Sequence, residues 1–252
     1  MSQERGYCLV SQQIRNIITD ESLVVSNSIL DRHTEGINKG RFIYESLEKR
    51  VQPSSFDSIL GDEIFILDTE ETGFFRPNSN ETVYRALMQI PKRQRQRHDI
   101  SNGFIIQPGF TYLIPLEERF KLNKGERIKS SPKSSIGRIF LSAKMISDYN
   151  PNRDEVNSFY NNGIIQPWLL LQPIAFSSMI YPGISINQLR FFRGLNATLS
   201  PSEVNDEFNK IPLLYERDGE NNLIPANPII TDDGLQIDLD LSGRLSSGII
   251  AL

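Results

Sequence analysis

Pro132-Lys133-Ser134-Ser135-Ile136-Gly137-Arg138 is the stretch on which the reading of this chain turns. It gathers two hydroxyls, two fixed cations and a glycine, between a polar run at 121–131 and the apolar, strand-like Ile139-Phe140-Leu141. Hydroxyls and backbone N–H groups donate to phosphate oxygens, lysine adds a point charge, and arginine adds a planar fork of donors. Glycine lets a backbone approach a ligand closely. The same composition also suits a solvated turn. The segment reads as a candidate phosphate cradle beside a strand.

Outward from it, short apolar runs recur between turn residues. Ile64-Phe65-Ile66-Leu67, Phe104-Ile105-Ile106, Phe110-Thr111-Tyr112-Leu113-Ile114, residues 139–141, residues 168–171 and residues 184–192 read as strands, with Pro108-Gly109 as a turn. Many short strands with Pro/Gly turns predict a mainly β barrel or sandwich. Near the N-terminus Ser11 can cap a short helix whose Ile14, Ile17 and Ile18 share a face. Residues 1–45 therefore read as a helical arm packed on something larger, and residues 46–195 as the β domain. Lys92-Arg93-Gln94-Arg95-Gln96-Arg97-His98 is the most basic run. It could reach for phosphate or an acidic partner, but no aromatic residue interleaves for base stacking, and it reads as a solvated loop. Residues 212–228 read as a connector. Residues 234–241 alternate apolar and polar with period two, which predicts a half-exposed strand.

The chain has 252 residues, 38% hydrophobic and 23% charged, with a net charge of −4. That supports one large or two modest domains with a real core, and nothing in it asks for nucleic acid or a membrane surface as partner. The single cysteine, Cys8, excludes a disulfide within the chain and a cysteine zinc site. Two histidines, His33 and His98, argue against a His-rich metal centre or a Ser/His triad. No run has signal-peptide length or approaches the ~20 apolar residues of a membrane span, so a cytoplasmic setting is expected.

Four blocks then line up. Val51-Gln52-Pro53-Ser54-Ser55-Phe56-Asp57 with Leu60-Gly61 is similar to QPxSxDxxLG. Pro108-Gly109 running to Ile114-Pro115-Leu116-Glu117 is the second block, and residues 132–138 are similar to PKSSxGR. Gly183-Ile184-Ser185-Ile186-Asn187-Gln188-Leu189-Arg190 is similar to GxxxNQLR, and Leu9-Val10-Ser11-Gln12 fits the same pattern. Over residues 9–195 the chain resembles the long, internally duplicated bacterial dCTP deaminases of the dUTPase-like superfamily. The resemblance implies a distorted β-barrel of β-clip type, homo-oligomers with sites between subunits or repeats, and zinc-independent hydrolysis of dCTP to dUTP. It implies that Lys133, Ser134 and Ser135 hold the triphosphate, that Arg138 orients the attacking water and the exocyclic amine, and that Gln188 lies near the nucleotide. Ser134 and Arg138 are thus the catalytic candidates. The ligand would be a deoxycytidine or deoxyuridine nucleotide, with no tightly bound cofactor and Mg²⁺ only as companion of the triphosphate. Residues 196–252 would be a connector and the start of a truncated second half-repeat.

One position departs. Deamination needs a general base, a glutamate in the family. In Gln166-Pro167-Trp168-Leu169-Leu170-Leu171-Gln172-Pro173-Ile174-Ala175-Phe176, anchored on Pro173 and Phe176, that position falls on Leu170. No Asp or Glu occurs from Val156 through Ser202. Three readings follow: a deaminase whose carboxylate comes from elsewhere, a nucleotide-binding or structural subunit without activity, and a dUTPase-type pyrophosphatase. Glu117, Asp148, Asp154 and Glu155 are the nearest carboxylates, and each reads as a surface or turn group. The third reading needs an Asp before Tyr160, where the loop offers Asn157. Trp168 reads as core, Tyr160 as a loop anchor, and Cys8 as a spectator.

Overall fold

The computed structural model describes residues 6–19, 38–39, 42–43, 47–68, 75, 77–158, 163–194, 199–231 and 234–236. In chain order come β1 (Tyr7–Cys8), α1 (Ser11–Thr19), β2 (Asn38–Lys39), β3 (Phe42–Ile43), α2 (Leu47–Arg50), β4 (Phe56–Ser58) and β5 (Glu63–Leu67). There follow α3 (Val83–Gln89), β6 (Arg95–Asp99), β7 (Phe104–Ile106), β8 (Thr111–Pro115), β9 (Phe120–Lys121), β10 (Glu126–Pro132) and α4 (Ser134–Arg138). Then come β11 (Leu141–Ser147), β12 (Glu155–Asn157), β13 (Ile164–Ile165), β14 (Pro167–Pro173), β15 (Ser178–Ile180) and β16 (Asn187–Arg193). The last elements are α5 (Pro201–Lys210), β17 (Tyr215–Arg217), β18 (Leu223–Pro225), β19 (Ile229–Thr231) and β20 (Gly234–Gln236). Residues 1–195 form one compact unit and residues 196–252 a second.

Among the described residues, the first unit is built on two five-stranded antiparallel sheets, with two-stranded ribbons β9–β13, β7–β15 and β2–β3 beside them. One runs β1-β16-β10-β12, with β4 also on β16; the other runs β11-β14-β8-β5-β6. Phe56, Ile128, Leu189 and Phe191 of the first sheet meet Ile64, Ile114, Ala143, Met145, Leu169 and Leu171 of the second in one buried cluster. The second sheet is apolar on its other face too. There Phe65, Leu67, Leu113, Ile146, Trp168 and Leu170 pack with Val83 and Leu87 of α3. A sheet covered on both faces needs unbroken apolar strands rather than alternating ones, and this is why the runs at 64–67 and 168–171 show no period of two. Trp168 is core, as its setting predicts, with its ring 6.1 Å from Phe65.

Helix α1 drives Ile14, Ile17 and Ile18 into the main core. Burying each such side chain contributes about 1.5–3 kcal/mol. Ser11 is its first helical residue rather than its cap: Ile14 N–H donates to Val10 O at 2.9 Å, and the Gln13 side chain accepts the Val10 N–H at 3.1 Å. The basic run is not a loop. Arg95–Asp99 is an edge strand on β5, with Arg97 Nε 2.7 Å from Glu63 Oε2. Residues 184–186 do not join the predicted strand, because Gly183 turns at φ 81 and Ile184 O is taken by the Leu60 N–H.

In the second unit, Ser200 and Glu203 close a reciprocal capping box on α5. The stretch read as a connector holds the β17–β18 hairpin, whose turn the Asp218 carboxylate ties to the N–H groups of Glu220 and Asn222. β20 pairs with β19. The rest of the strand expected at 234–241 lies outside the described residues, as does Tyr160.

Candidate functional site

Lys133 is where the chain leaves the first sheet. Its N–H donates to Ile186 O at 3.0 Å, and its carbonyl accepts from Ile136 N–H at 2.9 Å to open the one-turn α4. Ile136 pins that turn by entering the main core, which leaves Ser134, Ser135, Gly137 and Arg138 exposed. A Cβ added at Gly137 would meet nothing within 4 Å, so glycine keeps the outer side of the turn bare. The turn closes at Phe140, whose N–H donates to Gly137 O at 3.0 Å with φ 55. Ile139 and Phe140 are therefore not strand, contrary to the apolar pattern; β11 starts at Leu141. A bulky residue in the left-handed region is strained.

β16 supplies the neighbouring row. Leu189 and Phe191 face the core, so Gln188, Arg190 and Phe192 face outward. In register beside Gln188 stand Asp57 on β4 and Ser131 on β10. Lys133 Nζ reaches across to Asp57 Oδ2 at 2.5 Å. Asp57 is 3% exposed, and its other oxygen, Oδ1, has no hydrogen-bond partner. Ser55 Oγ approaches Gln188 Oε1 at 3.4 Å.

Buried chemistry behind β4 fixes this row. Arg50 and Glu118, both fully buried, form an ion pair. Arg50 Nε donates to the Asp57 carbonyl at 2.8 Å, its guanidinium lies 4.6 Å from the Phe56 ring centroid, and Glu118 Oε2 accepts from Ile59 N–H at 3.1 Å. Removing one partner of such a pair costs about 3–5 kcal/mol, because the other charge is left buried alone. Gly61 belongs to the same frame: its N–H donates to Pro115 O at 2.9 Å, and a Cβ there would come 3.0 Å from that oxygen.

The predicted residues thus fall into two groups. Lys133 and Gln188 meet across Asp57, whereas Ser134, Ser135 and Arg138 stand on the exposed side of α4. Sequence reading missed Asp57 as a partner, although it lies inside a quoted block; only the pairing of β4 with β16 brings it to Gln188. Leu170 is buried among Phe65, Leu113 and Trp168, paired with Lys144 on β11 and Leu113 on β8. The alternative carboxylates do structural work. Asp154 accepts from Lys144 Nζ and Met145 N–H, and Glu155 from Asn157 Nδ2. Asp148 accepts from the N–H groups of Val83 and Gln166, and burial pushes its carboxyl above the usual range against those bonds and Arg119. Asp148 and Glu117 line a cleft of about 880 Å³ with Arg119, Gln166 and Trp168, and no cradle residue lines it.

A family profile described as the 2'-deoxycytidine 5'-triphosphate deaminase (DCD) N-terminal domain matches residues 10–195. The chain belongs to this family. The dCTP deaminase N-terminal domain match takes in the second sheet, the first sheet but for β1, the cradle and Gln188. A crystal structure of the 2'-deoxycytidine 5'-triphosphate deaminase from Agrobacterium tumefaciens superposes with a TM-score of 0.66 at 22% identity. The likeness covers 90% of this chain and 56% of that one, so the chain spans little more than half the length of that protein. At that identity it shows the fold, the dUTPase-like one. No curated protein matches the chain.

Proposed function

We propose that the chain binds a deoxycytidine or deoxyuridine nucleotide at the Lys133 turn and Gln188, with hydrolytic, zinc-independent deamination of dCTP to dUTP as the reaction. The observation that carries this is the row Asp57, Gln188 and Ser131 with Lys133 tied into it, beside a turn that exposes Ser134, Ser135 and Arg138. Because Lys133 and Asp57 offset each other, Arg138 is the cation of the turn that makes no ion pair with a described residue. In this reading Lys133, Ser134 and Ser135 take the phosphates, and Arg138 and Ser134 face the reacting centre. Mg²⁺ enters this reading as a companion of the triphosphate, bound mainly through the phosphates.

A second reading rests on Leu170. Its apolar, buried setting favours a subunit that binds nucleotide without turning it over, since leucine carries no proton. Incubation with dCTP and dUTP separates the two. Ammonia from dCTP establishes the deaminase; pyrophosphate from either nucleotide would point to a pyrophosphatase instead. If neither forms, a rise in thermal stability with added dCTP supports the binding subunit. No product and no rise would overturn nucleotide binding altogether. A cytoplasmic setting fits this chemistry; no described helix is long and apolar enough to cross a membrane.

Self-association belongs to the same proposal. Ile139, Phe140, Ile174 and Phe176 form an exposed apolar rim beside the cradle, with the rings of Phe140 and Phe176 5.9 Å apart. Contiguous apolar surface of this kind marks interaction sites, and a second copy here would bring its side chains to the turn.

A further inference from the structure

We infer that Lys129 and Arg190, on the outer face of β10 and β16, form a further phosphate-binding row that takes the distal end of a polyphosphate chain. The two residues are direct partners in the ladder, one step beyond the Gln188–Ser131 pair on the same face. Both are exposed, and neither makes an ion pair with a described residue. Like charges directly opposite each other in a ladder are destabilising. The fold does not need them, because the folding work of these strands is done on the inner face by Ile128, Leu189 and Phe191. A third cation, Arg127, follows one step further, with its guanidinium 5.2 Å from the Phe192 ring centroid and its Nε buried without a partner. Two described carboxylates stand near them: Glu155 faces Lys129 on β12 and is engaged by Asn157 Nδ2 at 3.2 Å, and Asp57 in the next row is held by Lys133. In a chain of net charge −4 this face is a local cationic excess.

Its position assigns the occupant. Successive rows on one face of a strand lie about 6.8 Å apart, and adjacent strands about 5 Å. A polyphosphate with one end at Lys133 and Gln188 runs directly toward Lys129 and Arg190, and long basic side chains close the remaining gap. A single phosphate cannot engage both rows. The row therefore selects for phosphate number. This deepens the nucleotide reading but does not require the base to be recognised.

The test measures binding of inorganic tripolyphosphate, dCTP and dCMP to the full chain and to the variant carrying Lys129→Ala and Arg190→Ala, with thermal melts to check folding. The milder Arg190→Gln is run in parallel, in case the double variant unfolds. Expected is a loss of about tenfold or more for tripolyphosphate and dCTP in the double variant, dCMP changing less than about twofold, and a weaker dependence on salt. Unchanged tripolyphosphate binding, or an equal loss for dCMP, would overturn the assignment. So would single-stranded DNA binding this row more tightly than tripolyphosphate does, since the face would then belong to nucleic acid. The two readings fail separately. Tripolyphosphate bound without dCTP sinks the nucleotide proposal and keeps this row, whereas dCTP bound equally by wild type and variant sinks only the row.

Discussion

Asp148 has its charge disfavoured by its surroundings, and the sign of that effect fixes a pH dependence. Burial raises its folded-state pKa above the ordinary 3.8, so over the window between the two values the folded chain holds more of the proton than the unfolded chain does. Stability contributed by this group is full below the ordinary value and falls as pH rises through the folded one. Asp148→Asn keeps an oxygen for the Val83 N–H and has no charge to bury. Relative to wild type it is expected to gain stability as urea unfolding is repeated from about pH 3 up to about pH 7; a difference flat in pH would show that burial at 148 goes unfelt. Nothing in the sequence marked Asp148 for this, because its burial comes from α3 and from Gln166, both distant along the chain. Asp57 was hidden in the same way.

Helix α5 offers a cleaner test at the scale of one element. Ser200 accepts from the Glu203 N–H while the Glu203 carboxylate accepts from Ser200 N–H at 2.8 Å. Ser200→Ala is expected to cost about 1 kcal/mol of helix stability, speeding amide exchange in residues 201–210 about fivefold. Exchange at the wild-type rate would mean that the box contributes nothing. Elements were legible where burial imposes a pattern: the strands at 64–67 and 168–171 could be read because both faces of the sheet they serve are apolar. They were illegible where local geometry decides. The one-turn α4 interrupts an apolar run because Phe140 accepts a left-handed conformation, and Arg95–Asp99 is a strand despite its charges because an edge needs pairing on one side only. The hairpin at 215–225 rests on the carboxylate of Asp218, a turn device too short to show as periodicity.

At the scale of the whole molecule, the fold was readable from four short blocks, while the site was readable only as residue types; that Lys133 is the cation meeting Asp57 required the ladder register. The exposed rim at Ile174 and Phe176 carries the corresponding prediction. Replacing both with Asp is expected to shift sedimentation toward monomer with the fold of the monomer kept, because both side chains are exposed; sedimentation unchanged at every concentration would remove the rim as an interface. The lone thiol adds a consequence of its own. Cys8 lies beside Phe192 in the ladder; burial makes its thiol harder to ionise, and the guanidinium of Arg190 partly counters that. An anion docking on Arg190 would cancel this counter-pull, shrink the thiolate fraction and slow alkylation at Cys8. The chain therefore carries a built-in chemical reporter for occupancy of its own basic face.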